Sequence, residues 1–314
     1  MFRLGIDLGG TNIAVGVVND AYEIVATAKC KTALPRPSEE IVADMAKTAR
    51  EAVANAGLTM DDIASVGIGC PGTCNGDTGI VEYSNNLRFD HVPLRSMMSK
   101  LLDNKPVFVD NDANAAALGE AVAGAAKGAS SCVCITLGTG VGSGVILDGK
   151  VYNGSNFAGA EIGHTVIMVD GESCTCGRNG CWEAYASATA LIHQTRRAMA
   201  NHPESLMWKL SEDAKRVSGR TAFDAMRAGD PVGKQVVDTY IRYIACGLVN
   251  VINIFQPEIL CIGGGICNEG ETLLAPLREQ IEQERYSKYC EKQTRLCVAQ
   301  LGNNAGIIGA AALG

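Results

Sequence analysis

The chain has 314 residues, above the roughly 250–300 at which a single hydrophobic core stops growing, so two domains are expected. Hydrophobic residues at 47% and charged residues at 19% exclude a disordered chain, and a net charge of −7 argues against nucleic-acid or membrane-surface partners, which favour basic patches. Two counts are high: glycine, with 36 residues against an average share near 7%, and cysteine, with an odd 13.

Met1 to Asp7 meets polar residues and glycine at once, unlike a secretory leader, and no run of about 18 residues is apolar enough to span a membrane. A cytoplasmic location with reduced thiols is expected. Phe2 to Leu8 and Ile13 to Val18 are β-rich runs around Gly9-Gly10-Thr11-Asn12, which reads as a hairpin. Glu39 to Ala56 has helical spacing and stops at Gly57. Ser65 to Cys70 is a strand stopped by Pro71-Gly72. Pro106 to Val109 is another strand, and Asn114 to Ala123 is an alanine-rich helix.

The opening pattern then recurs. Cys132 to Leu137, the turn Gly138-Thr139-Gly140-Val141-Gly142 and Gly144 to Leu147 form a second hairpin, and Leu8-Gly9-Gly10-Thr11 overlays Leu137-Gly138-Thr139-Gly140. Such a repeat predicts a duplicated domain. Ala184 to Gly229 reads as polar and helical, and Val232 to Phe255 as one long helix. Glu258 to Ile262 is a strand running into Gly263-Gly264-Gly265. Thr272 to Glu284 is a helix, Arg295 to Gln300 a strand, and Asn304 to Leu313 a small-residue helix. No low-complexity linker separates the halves.

Glycine turns suit phosphate because backbone N–H groups approach a ligand without a Cβ in the way. The form of these turns excludes two common devices. No G-x-x-x-x-G-K-[ST] loop is present, and Gly138 to Gly142 leads into a strand where a dinucleotide fingerprint requires a helix. Strand–turn–strand loops of this kind resemble the phosphate loops of actin-like ATPases and sugar kinases. Asp7, at a strand end beside Thr11, can hold the hydration shell of Mg²⁺.

Two further constellations carry chemistry. His164, Cys174, Cys176 and Cys181 follow His-x9-Cys-x-Cys-x4-Cys with Gly177, Asn179 and Gly180 for tight reversal, which predicts a closed, structural zinc site. Asp110-Asn111-Asp112 lies where a strand passes into a helix. There Asp112 reads either as a helix cap or as a ligand-facing acid at a strand C-terminus. Glu161 and Glu183 flank the cysteine loop and can accept hydrogen bonds from sugar hydroxyls.

Taken together, Asp7-Leu8-Gly9-Gly10-Thr11, Cys70-Pro71-Gly72, Asp110 to Asn114, Leu137 to Gly142, Glu161-Ile162-Gly163-His164, Cys174 to Glu183 and Ile262 to Gly265 resemble the ROK family (repressors, open reading frames, sugar kinases) over essentially the whole chain. The resemblance implies an α/β actin-like ATPase (ribonuclease H-like) fold, two lobes around a central cleft. Residues 1–117 with 301–314 would form the first lobe and 118–300 the second. It implies Asp112 as general base, with Gly72, Asn85, Asn111, Glu161, His164 and Glu183 at the sugar, His164 serving both sugar and zinc. Phosphates would lie on Asp7, Gly9, Gly10, Thr11, Asn12, Gly138, Thr139, Gly140 and Gly142, and the adenine and ribose on Gly264 and Gly265. The cofactors implied are ATP, Mg²⁺ and structural zinc, and the assembly a homodimer.

Asn85 to Phe89 followed by Val92-Pro93-Leu94 resembles the family's glucose-specific members, which makes glucose the expected sugar. Mannose, N-acetylmannosamine, N-acetylglucosamine, allose and fructose stay open, since one hydroxyl or methylene changes discrimination by only about 1–3 kcal/mol in an apolar pocket. A repressor of the same family would need a helix-turn-helix domain of roughly 60–80 residues ahead of the first strand, which here begins at residue 2. An actin-like polymer subunit would have no use for Asp112, Glu161 and Glu183 beside a cysteine loop.

Overall fold

The computed structural model describes residues 1–211 and 213–314. The chain divides into two compact units, Met1–Cys134 with Ser143–Ala160 and Ala299–Gly314, and Ile135–Gly142 with Glu161–Val298. This differs from the expected lobe boundaries at 117/118 and 300/301. Helix Asp112–Ala123 runs unbroken through 117, and buried Glu120 near its end accepts the N–H groups of Gln300 at 3.1 Å and Leu301 at 2.8 Å. Those bonds hold the 299–301 segment to the first unit.

The strands are β1 (Phe2–Leu8), β2 (Asn12–Val18), β3 (Ile24–Lys31), β4 (Ile63–Cys70), β5 (Thr73–Asn75), β6 (Ile80–Ser84), β7 (Phe89–Val92), β8 (Val107–Asn111), β9 (Cys132–Leu137), β10 (Val141–Leu147), β11 (Lys150–Val151), β12 (Ile259–Gly263) and β13 (Arg295–Val298). The α-helices are α1 (Ser38–Asn55), α2 (Leu94–Leu101), α3 (Asp112–Ala123), α4 (Glu183–Ala186), α5 (Ala188–Asn201), α6 (Leu206–Ser211), α7 (Thr221–Arg227), α8 (Pro231–Phe255), α9 (Glu271–Glu284) and α10 (Ala305–Ala311). One five-stranded sheet has the order β3-β2-β1-β4-β8 and another β11-β10-β9-β12-β13. Numbered from its own first strand, each is 3-2-1-4-5, the duplication expected from the repeated hairpins. The β3 strand and a small sheet β5-β6-β7 were not anticipated. The β10 strand begins at Val141, so Gly142 lies inside a strand and the second turn is only Gly138-Thr139-Gly140.

Strand alternation sorts the first sheet into two unlike faces. Leu4, Ile6 and Leu8 of β1, Ile13, Val15 and Val17 of β2, Val66 and Ile68 of β4, and Val107 and Val109 of β8 point to one side. There they bury against Ile41, Met45, Ala49 and Val53 of α1. The opposite face is nearly bare. Gly5 is in register with Gly16 of β2 and with Gly67 of β4, giving a row of three glycines across the sheet centre. Helix α10 lies on that row. A Cβ on Gly5 would come within 1.9 Å of the Ile307 carbonyl oxygen, and one on Gly67 within 1.7 Å of that of Ala310. Helix α10 is also pressed onto α3, where a Cβ on Gly309 would meet the Ala115 carbonyl oxygen at 1.6 Å. Backbone therefore packs on backbone, a closeness only glycine permits.

In the second unit, the 25-residue α8 starts at Asp230, whose carboxylate caps it through the Val232 N–H, and ends at Gln256 in the left-handed conformation. It carries a long buried stripe and packs against α7 and α9.

Replacing Gly67 by alanine forces α10 off the sheet. Gly67→Ala is expected to cost about 2 kcal/mol or more, lowering Tm by about 4–8 °C. A thermal melt at the parent's Tm would mean that α10 does not rest on this row.

Candidate active site

The first glycine turn joins β1 to β2. The Gly9 N–H donates to the Asn12 carbonyl at 2.9 Å, and Thr32, just past β3, ties the turn from behind. Its hydroxyl donates to the Gly9 carbonyl at 2.6 Å and its N–H to that of Thr11 at 3.0 Å. The carbonyls of Gly9, Thr11 and Asn12 are thus occupied, while the N–H groups of Gly10 and Thr11 make no hydrogen bond among the described residues. Gly10, Thr11 and Asn12 are exposed. Successive backbone donors facing out of a tight turn form an anion-binding concavity.

Asp7, one residue inside the end of β1, sits on the bare face of the sheet. Its neighbours in register are Ala14 and Gly69, and a Cβ on Gly306 of α10 would come within 2.9 Å of its carboxyl carbon. Small residues on three sides make its pocket. Burial, and secondarily the charge of Asp112, push the Asp7 carboxyl up to about 6.

The β8–α3 junction separates three adjacent polar residues by role. Asn111 is the N-cap. Its Oδ1 accepts the N–H groups of Ala113 at 2.8 Å and Asn114 at 3.3 Å, and its Nδ2 donates to the Gly72 carbonyl at 3.1 Å. Asp110 is 6% exposed and accepts from the Asn111 N–H, from Asn114 Nδ2 at 2.9 Å and from Asn153 Nδ2 at 3.1 Å, so its lone pairs serve the fold. Asp112 is left over. It is the first residue of α3, its Oδ1 accepts the Ala113 N–H, and burial raises its pKa. The capping role that would have explained it without chemistry belongs to Asn111.

Gly72 has φ +108° and its missing Cβ would fall 2.1 Å from the Tyr83 carbonyl oxygen, so the backbone itself requires glycine there. Asn85 is exposed and accepts from the Tyr83 hydroxyl at 3.3 Å.

In the second unit, the other glycine turn is held by the start of α5. The Ala188 N–H donates to the Gly138 carbonyl at 2.8 Å and the Thr189 hydroxyl to that of Thr139 at 2.8 Å. Glu183 reaches the same turn: its Oε2 accepts the Val141 N–H at 2.9 Å, and a Cβ on Gly140 would strike it at 2.3 Å. Its Oε1 lies 3.4 Å from the Thr175 hydroxyl. One carboxylate therefore links the glycine turn to the cysteine loop.

Ligand atoms of His164, Cys174, Cys176 and Cys181 all lie within 4.8 Å of one another. Cys174 Sγ is 3.6 Å from His164 Nδ1, and Cys176 Sγ is 3.6 Å from Cys181 Sγ. Around a tetrahedral cation with metal–sulfur bonds of about 2.3 Å, ligand atoms sit about 3.7 Å apart, so the donor set fits one. The Arg178 N–H lowers the Cys176 pKa, whereas burial and the adjacent thiols push Cys181 up to about 12. The loop is anchored by Trp182, whose indole N–H donates to the Tyr243 carbonyl at 2.8 Å and whose ring fills the space a side chain at Gly247 would take. Glu161 is exposed, immediately before the short helical turn Ile162–His164.

Gly264, at φ +98°, would clash with the Leu137 carbonyl oxygen if it had a Cβ, whereas Gly265 faces open space. Gly265 borders a cavity of about 540 Å³ lined also by Arg220, Asp224, Arg227, Asn268 and Glu269. Arg227 is clamped by Asp224 and Glu269, each at 2.5 Å. None of these five, nor Asn153, was singled out in the sequence. They lie in polar stretches without a motif.

Duplicated 3-2-1-4-5 sheets, a glycine hairpin opening each, and an acid at the end of the first strand define the actin-like class of phosphoryl-transfer folds. The ROK family model matches residues 3–314. A glucokinase of Thermotoga maritima is 36% identical over 311 residues, covering 99% of this chain and 96% of that protein. A ROK family glucokinase from Streptomyces griseus, solved with glucose and AMPPNP, superposes with a TM-score of 0.81 at 35% identity, covering 100% of this chain and 99% of that one. A ROK hexokinase from Thermus thermophilus gives 0.83 at 33% identity, covering 100% and 97%. The chain belongs to the ROK family. No helix among the described residues is long and apolar enough to cross a membrane.

The Asp7 environment predicts a pH effect. Its carboxyl rises in the fold from the ordinary 3.8 to about 6, so its contribution favours the folded state below about pH 4 and is lost as pH rises through about 6. Asp7→Asn removes that loss. The variant's stability relative to the parent should climb between about pH 4 and 6 and level off above, as read by denaturant melts. A pH-independent difference would show that Asp7 titrates normally.

Proposed function

We propose that the chain is an ATP-dependent hexokinase that transfers the γ-phosphoryl group of ATP to the 6-hydroxyl of glucose, giving glucose 6-phosphate and ADP. The observation that carries this reading is Asp112: a half-buried carboxylate with a raised pKa, not needed as a cap, on the first turn of α3 after strand β8. Full-length similarity to relatives named glucokinase, one of them solved with glucose and AMPPNP, supports the sugar and the donor.

In this reading Asp112 accepts the hydroxyl proton as the sugar oxygen attacks phosphorus. Asn111, Glu161, His164 and Glu183 hold the other hydroxyls, and Gly72 and Asn85 border the sugar. The turns at Gly9, Gly10, Thr11 and Asn12 and at Gly138, Thr139 and Gly140, with Gly142 behind the second, take the phosphates, the first through the N–H groups of Gly10 and Thr11. Gly264 and Gly265 lie under the nucleoside, which the cavity beside Gly265 accommodates. Asp7 would hold Mg²⁺ through water. The metal supplies charge neutralisation at the phosphates. Zinc would sit on His164 Nδ1 and the three thiolates, leaving His164 Nε2 for a sugar hydroxyl. Its Cys174, Cys176 and Cys181 ligands call for the reducing conditions of the cytoplasm. A homodimer, expected from the family, completes the proposal.

A sugar panel with ATP tests it. Glucose should give the highest kcat/KM. A higher value for mannose, fructose, allose or an N-acetylhexosamine would reassign the substrate, and ADP release indifferent to every sugar would overturn the kinase reading. In the same assay Asp112→Asn should lower kcat by about 10²-fold or more while glucose binding persists, and a parent-like kcat would remove Asp112 as base.

Metal analysis should find one zinc per chain, lost in Cys176→Ser or with a strong chelator, with loosening of the 164–183 segment in hydrogen exchange. Metal-free protein with full activity and unchanged exchange would contradict this.

A further inference from the structure

We propose that Lys31 is a phosphate-binding residue that holds the terminal phosphates of the nucleotide donor at the first glycine turn. The inference rests on the reading of that turn as a phosphate loop and adds a side chain outside it.

Lys31 is the last residue of β3 and the register partner of Asn12, the first residue after the turn. Its ammonium donates to Asn12 Oδ1 at 2.9 Å. That partner is a neutral amide, and among the described residues no carboxylate pairs with Lys31. The nearby arginines are committed elsewhere: Arg3 is paired with Asp20 and Arg36 with Asp44.

The backbone at Lys31 is fixed where it matters. Thr32 bonds the carbonyls of Gly9 and Thr11, and its own carbonyl accepts from Arg36 Nε at 2.8 Å. Strand β3 therefore cannot shift along β2 without breaking the turn's supports. The long, flexible stem of Lys31 is anchored beside the outward N–H groups of Gly10 and Thr11. A triphosphate brought to those donors enters a neighbourhood that already holds Asp7 and Asp112, whose charges oppose it. A mobile ammonium on a fixed base offsets that repulsion. It leaves Asn12 Oδ1 for a phosphate oxygen, exchanging a neutral acceptor for a charged one. Lys29 provides the internal comparison, since it projects from the same face of β3 two residues earlier, opposite Ala14.

Calorimetric titration with the Mg²⁺ complex of AMPPNP, together with steady-state kinetics, tests the proposal on Lys31→Met, Lys31→Arg and Lys29→Met. Lys31→Met should weaken nucleotide binding about tenfold or more and raise KM for ATP in parallel, with KM for glucose and Tm unchanged. Lys31→Arg should recover most of the loss, and Lys29→Met should bind like the parent. Nucleotide affinity of Lys31→Met within twofold of the parent, an equal loss in Lys29→Met, or no recovery in Lys31→Arg would each overturn it. A parent that binds the nucleotide without sugar-stimulated ADP release would sink the hexokinase reading, and the calorimetry would still decide Lys31.

Discussion

The bare face of the first sheet governs the rest of that unit. Gly5, Gly16 and Gly67 align across three strands, and the absence of Cβ atoms lets α10 settle so low that its carbonyls occupy the space of side chains. Two consequences follow from this depth. Helix α10 presents Gly306 to Asp7, which buries that carboxylate in a pocket of small residues and raises its pKa. Helix α10 also wedges against α3 through Gly309 and Gly119, so the helix that begins with Asp112 is located by the same contact. The two acids whose charges interact are therefore held by one helix packed on one row of glycines.

The second unit uses a different kind of support. Its glycine turn is pinned through its carbonyls by α5, and Glu183 spans from that turn to the cysteine loop. Aromatic packing of Trp182 against α8 fixes the far side of the loop. Polar clamps do here what backbone packing does in the first unit. Within the loop, His164 and three thiols are gathered with their ligand atoms within 4.8 Å of one another.

What was legible in the sequence was local. Both hairpins, the strand–acid–helix junction at Asp110 to Asn114 and the cysteine spacing lie within stretches of about 20 residues, and their chemistry depends on residue type and spacing. What was not legible required register or a shift of two residues. The glycines at 5, 16 and 67 form a row only once β1 pairs with both neighbours, so the excess of glycine looked like turn chemistry alone. Helix α3 begins at Asp112 and not at Asn114, and that difference transfers the cap to Asn111. Strand β3 escaped notice because Ala26, Thr27 and Ala28 dilute its alternation, and with it went the pairing of Lys31 with Asn12. The cavity beside Gly265 is walled by residues along the length of α7 and in the helical turn after β12, which no spacing rule connects.

The seat of α10 also sets an order of events. Gly5 and Ile307 touch across about 300 positions of chain, a contact of very high order, and such contacts form late. During synthesis at about 5–20 residues per second, the glycine face stays uncovered for roughly a quarter of a minute to a minute. What it exposes meanwhile is mostly backbone, with few apolar side chains for another nascent chain to grip. Asp7 acquires its enclosed setting only when Gly306 arrives, so its chemistry waits for a residue made about 300 positions later.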